Sequence, residues 1–139
     1  MTIANSNQHL TKLDKMIIQE ILKDRPDGKF CGKTNSQVTY ILSHLKTVLD
    51  NKVSGDVVEL GCYVGTTSLY IQKMLIAYNL EKNFHVYDSW KGLPEKHIND
   101  GNTKSLFNKG FLTVEKKAFT DLFNKSNTSL PIIHSGWFA

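Results

Sequence analysis

Phe84-His-Val-Tyr-Asp-Ser-Trp-Lys-Gly-Leu-Pro94 is the stretch on which the fold turns. It reads as a buried strand that ends on a carboxylate, Asp88, and leaves an aromatic, Trp90, beside it. An acid at the C-terminal tip of a parallel strand is how nucleotide-binding α/β folds grip the hydroxyls of a ribose. Immediately upstream, Gly55-Asp-Val-Val-Glu-Leu-Gly-Cys-Tyr-Val-Gly-Thr-Thr-Ser68 reads as strand, glycine turn and helix start. Gly61 and Asp88 are 27 positions apart, about the length of one βαβ unit.

Outward from this pair, strands and helices alternate. Asp56 to Leu60 is expected as the first strand, its two valines suited to a central position buried on both faces. Helical periodicity runs from Thr66 to Tyr78, with Ile71, Met74, Leu75 and Tyr78 facing inward. Asn83 to Asp88 forms the second strand, and a polar loop from Lys91 to Lys109 follows. A further helix is expected over Thr113 to Asn124 through Val114, Ala118, Leu122 and Phe123, and a third strand over Pro131 to Ser135. The pattern predicts a Rossmann-like α/β fold, a parallel sheet with flanking helices in the strand order 3-2-1. Residues 1–52 read as two helices forming an appendage, or a lid over a cofactor site, and residues 53–139 as the ligand-binding unit. Leu10, Leu13, Ile17 and Ile21 share one face of the first helix; Val38, Ile41, Leu42, Leu45, Val48 and Leu49 share one face of the second. Thr34, Asn35 and Ser36 are the candidate caps of the second helix.

The glycine turn narrows the ligand. A dinucleotide site needs G-x-G-x-x-G to seat a pyrophosphate on the helix N-terminus. Here only Gly61 and Gly65 stand four apart, with Glu59 two places before the first. That spacing suits a ligand without phosphates. Gly61 and Gly65 would admit close backbone approach; Thr66, Thr67 and Ser68 would face a carboxylate; Glu59 would help hold an ammonium group. A ligand with an amino-acid end and a ribose end is S-adenosylmethionine.

The E-x-G turn and the acid after the second strand resemble class I S-adenosylmethionine methyltransferases. The run Asp88-Ser-Trp-Lys-Gly-Leu-Pro94, the preceding Gly55–Gly61 segment and the terminal Gly136-Trp-Phe138 resemble, more narrowly, the macrocin O-methyltransferase family, from about Val53 to Phe138. The resemblance implies an enzyme that methylates a hydroxyl of a sugar or glycosylated small molecule. It implies that Asp88 holds the ribose, that Ser89 and Trp90 line the adenosine pocket, that Gly61, Gly65 and Thr66 lie under the methionine moiety, and that Gly136, Trp137 and Phe138 lie near the adenine. It also implies a magnesium ion held by aspartates on and after a fourth strand, positions beyond Ala139. The chain is accordingly expected to be the N-terminal part of the domain, truncated after the third strand, with no catalytic or metal-ligating residue to assign. An open edge on the first strand predicts self-association.

Bland readings stand beside these. Glu59 has a lesser reading as a structural acid at a strand end, Asp88 as a turn-forming residue and Trp90 as core; Tyr63 reads as packing or loop, His97 as a solvated loop residue, His85 and His134 as structural, and His9 and His44 as helix surface. The alternatives to an active enzyme are a non-catalytic methyltransferase-like binding module and an NAD-dependent oxidoreductase, the latter weakened by the glycine pattern.

Composition sets outer bounds. The chain has 139 residues, 40% hydrophobic and 22% charged, with formal charge +4, which is ordinary for one globular domain. Arg25 is the only arginine among scattered lysines, so nucleic acid is not expected as a partner. No apolar run approaches a membrane span, and the N-terminus lacks the pattern of a signal peptide. Cys31 and Cys62 are read as reduced thiols of a cytoplasmic protein.

Overall fold

The computed structural model describes residues 10–23, 33–78, 82–98 and 108–138. Cys31, His9, Arg25, most of the turn between the first two helices and the middle of the long loop lie outside these residues. The elements are α1 (Lys12–Lys23), α2 (Asn35–Asp50), β1 (Val57–Leu60), α3 (Thr66–Ala77), β2 (Phe84–Asp88), α4 (Lys116–Lys125) and β3 (Ile132–Ser135). Both strand pairings are parallel, with β2 in the middle. This is the expected 3-2-1 order of a Rossmann-like sheet. In register, Leu60 stands beside Tyr87, and Asp88 beside Ser135, so the three strands end together.

The pleat divides the sheet into unequal faces. Phe84 and Val86 are buried and join Ile18, Ile21, Val38, Leu42, Leu69, Met74, Phe119 and Phe123, from all four helices, in one core. Each fully buried side chain of this size stabilises the fold by about 1.5–3 kcal/mol. On the other face Val58 is 54% exposed and Leu60 66%. The expectation that β1 is buried on both faces is therefore corrected: among the described residues it is the outer strand of the sheet, covered on one side. That open face carries a polar brace. His85 Nδ1 lies 3.0 Å from His134 Nε2, His85 Nε2 lies 3.2 Å from Asp56, and the Tyr87 ring stacks on His134 at 4.1 Å.

The helices show where periodicity succeeds and where it slips. Thr34 caps α2: its hydroxyl accepts the Gln37 N–H while the Gln37 side chain accepts the Thr34 N–H, a reciprocal capping box. In α1 the buried positions are Asp14, Ile18 and Ile21, whereas Leu13, expected inside, is 63% exposed. The helix is rotated from the expected face because Asp14 is an anchor. Its carboxylate accepts from the Thr11 N–H and hydroxyl and from the Tyr78 hydroxyl, and it lies 3.5 Å from Lys46 Nζ. In α4 the helix begins at Lys116 rather than Thr113, and Phe119 is buried with Leu122 and Phe123, whereas Ala118 is exposed. The buried apolar residues of α1 and α2 belong to the common core, and none of these side chains lines the cavity described next.

Candidate functional site

At the C-terminal ends of the strands, the place where open α/β sheets bind ligands, three loops enclose a cavity of about 340 Å³. From the loop after β1 come Gly61 and Tyr63, and from the segment after β3 come Gly136, Trp137 and Phe138. The end of β2 and its loop supply Asp88, Ser89, Gly92, Leu93 and Pro94, and Leu112 completes the wall. The volume falls in the range of small-molecule sites, and the wall has the expected mixture of apolar surface and a few polar groups.

Asp88 ties the loops together. One carboxylate oxygen accepts the Cys62 N–H at 2.9 Å and the Tyr63 N–H at 3.1 Å; the other accepts the Trp90 N–H at 2.9 Å. Its carbonyl accepts the Gly136 N–H at 3.0 Å, which draws in the third loop. A carboxylate has about four acceptor positions, so the oxygen facing Trp90 keeps capacity for a ligand hydroxyl. Tyr63, at φ 50°, is held in the left-handed region with its N–H on Asp88. Consecutive amides at such a turn form an anion-binding nest, and here the chain's own carboxylate fills it.

Glu59 has a different setting. Its side chain accepts the Ser68 hydroxyl at 2.5 Å, beneath the start of α3. Burial raises its pKa, aided by the Asp88 charge and opposed by the Ser68 hydrogen bond and the Lys33 charge. The Cys62 thiol is unpaired with another cysteine and buried, and burial beside Asp88 and Glu59 pushes its pKa upward, which leaves it protonated and unreactive.

Of the residues singled out from sequence, Gly61, Asp88, Ser89, Gly136, Trp137 and Phe138 are brought together around the cavity, whereas Glu59, Gly65, Thr66, Thr67 and Trp90 are off its wall. Gly61 faces open space, so a ligand can approach its backbone. Gly65 serves packing instead: a Cβ there would stand 2.4 Å from the Phe119 ring. Thr66 and Thr67 are buried. Trp90 packs edge-on to Phe119, its ring N–H donating to Ser135 at 3.0 Å. Tyr63, read from sequence as packing or loop, is on the wall, and sequence reasoning assigned no role to Gly92, Leu93, Pro94 and Leu112, which line it too. Gly92 to Pro94 lie inside the motif run itself; Leu112 carries no local signal.

A family model, macrocin-O-methyltransferase (TylF), matches residues 6–139. The chain belongs to the macrocin-O-methyltransferase family. The macrocin-O-methyltransferase fold is seen again in a solved structure, the crystal structure of CalS11, calicheamicin methyltransferase: TM-score 0.56 at 16% identity, covering 84% of this chain and 50% of that one. The chain thus spans about half the length of that relative. Among curated proteins none matches.

The cavity of this macrocin-O-methyltransferase family member fits a nucleoside: an acid with remaining acceptor capacity at the β2 tip, open backbone at Gly61, and an apolar wall for a base. Among the described residues no three His, Cys, Asp or Glu side chains come together to hold a metal. Nor is any helix among them long and apolar enough to cross a membrane.

Proposed function

We propose that this chain carries the S-adenosylmethionine-binding half of an O-methyltransferase whose acceptor is a sugar hydroxyl or a glycosylated small molecule. The observation that carries the donor site is Asp88, at the tip of β2 on the wall of a cavity built from the loops after all three strands. The family, and a structural relative named as a calicheamicin methyltransferase, support the acceptor class. Within residues 53–139, Asp88 accepts a ribose hydroxyl, Trp137, Phe138 and Leu93 shield the base from water, and Gly61 lets the sulfur-bearing chain lie close to the backbone. When bound, S-adenosylmethionine supplies an electrophilic methyl group, and alignment of the acceptor oxygen behind it supplies much of the rate. The unpaired thiol of Cys62 suits a cytoplasmic setting.

An NAD-dependent reading is disfavoured by the nest: the Cys62 and Tyr63 amides that would greet a phosphate are already bonded to Asp88. A non-catalytic binding module would share the same cavity, and detection of methyl transfer by the chain would exclude it. The open edge and exposed valine and leucine of β1 support self-association through that edge.

Calorimetric titration with S-adenosylhomocysteine tests the donor site. The wild-type chain is expected to bind, and Asp88→Ala to bind at least about tenfold more weakly, the usual consequence of losing a hydrogen bond to a charged group. A folded chain that ignores S-adenosylhomocysteine, or an Asp88→Ala variant that binds it equally well, would overturn the reading. Binding of NAD in its place would restore the oxidoreductase.

A further inference from the structure

Leu112 combines two properties that rarely meet in a leucine. It lines the cavity, and its backbone is left-handed, at φ 65°. A side chain with a Cβ adopts that conformation only when its surroundings enforce it. Tyr63, also on the cavity wall, shares the property, as do Trp90, Lys52 and Asn127 off it.

What enforces it is a clasp between the segment after β2 and the turn before α4. The Leu93 N–H donates to the Phe111 carbonyl at 2.8 Å, and the Gly110 N–H donates to the Leu93 carbonyl at 2.9 Å. The Thr113 N–H and hydroxyl both return to the Gly110 carbonyl, which closes the turn around Leu112. The clasp depends on Gly92. A Cβ there would lie 2.5 Å from the Phe111 oxygen and 2.6 Å from the Gly110 oxygen, and its φ is 71°. Ser89 continues the bracing toward Asp88, donating to the Gly92 carbonyl at 3.2 Å and accepting the Lys91 N–H at 3.1 Å.

We propose that this clasped turn is a specificity element, with Leu112 held in its left-handed conformation to present an apolar wall to the purine base of the bound nucleoside. The inference rests on the donor site proposed above and adds to it a residue from outside the strand-end motifs. Leu112 is 40% exposed, so a flat base packed on it would remove from water surface that folding leaves wet.

The test separates binding from folding. Glycine accepts positive φ without the steric cost of a Cβ, which offsets its larger loss of conformational freedom on folding, so Leu112→Gly should melt close to wild type while losing the wall. S-adenosylhomocysteine and plain adenosine should both bind roughly tenfold more weakly to it, the scale of one lost apolar contact region. Gly92→Ala, which opens the clasp but keeps Leu112, should weaken both ligands as well. Should Leu112→Gly fail to fold, Leu112→Asn, which also tolerates left-handed backbone, takes its place in the titration. Wild-type-like affinity in a folded Leu112 variant overturns the proposal, as does a loss for S-adenosylhomocysteine that spares adenosine. A wild-type chain that binds neither ligand overturns the donor site and this proposal together, whereas tight wild-type binding with no effect at Leu112 overturns this proposal alone.

Discussion

Replacing Asp14 by asparagine should destabilise the protein, with a pH dependence that identifies the cause. Asp14 is 4% exposed at the junction of α1, α2 and α3. Burial opposes its charge, but hydrogen bonds from Thr11 and Tyr78, together with the Lys46 charge, outweigh it and hold the pKa at about 2, against 3.8 for the unperturbed group. A depressed acid stabilises the fold above its unfolded pKa, and the contribution is lost as pH falls through the folded value. The shift corresponds to about 2.5 kcal/mol at pH 7, of which about half should survive at pH 3 and little below pH 2. The substituted amide keeps a partner for the Tyr78 hydroxyl but leaves Lys46, 9% exposed, with Asp50 as its remaining carboxylate partner at 2.5 Å. Thermal melts of wild type and Asp14→Asn at pH 7 should differ by on the order of 10 °C, and the gap should narrow steadily in melts or urea titrations between pH 5 and pH 2. A gap that stays constant over this range, or one of less than about 0.5 kcal/mol at pH 7, the ordinary scatter of surface substitutions, would refute the argument that the ionised carboxylate locks the helices.

Two further outcomes follow from the packing and the open sheet. Gly65→Ala places a Cβ 2.4 Å from the Phe119 ring at φ 84°, and denaturant melts should record a loss of roughly 2–4 kcal/mol; a variant within about 0.5 kcal/mol of wild type would mean that Phe119 moves aside freely. Sedimentation of the wild-type chain should show concentration-dependent association that Leu60→Lys abolishes, since a lysine on an exposed strand blocks edge pairing; a wild-type chain that stays monomeric throughout would count against association through β1.

The Asp88 motif was legible because strand character, a terminal acid and a glycine turn one βαβ unit away are local in sequence. The order and type of the elements followed from periodicity, as in α2, where Val38, Leu42 and Leu49 repeat on one buried face. Periodicity registers only apolar positions, and so it missed the rotation of α1. Asp14 is inside because its partner hydroxyl, on Tyr78, is 64 positions away. The same limit applied to the site. Glu59 was expected at the ligand and lies beneath α3, because a side chain at that strand position points to the helix-covered face. Leu112 was invisible, since its place on the cavity wall depends on a clasp closed by Leu93 and Gly92 far upstream. The sequence by itself thus determined the alternation of strands and helices, the glycine turn and the acid at the strand tip, all properties of short segments. Tertiary structure alone decided which side of β1 is covered, which of the expected residues meet around the cavity and what completes its wall, because those depend on hydrogen bonds and packing between segments that no local pattern encodes.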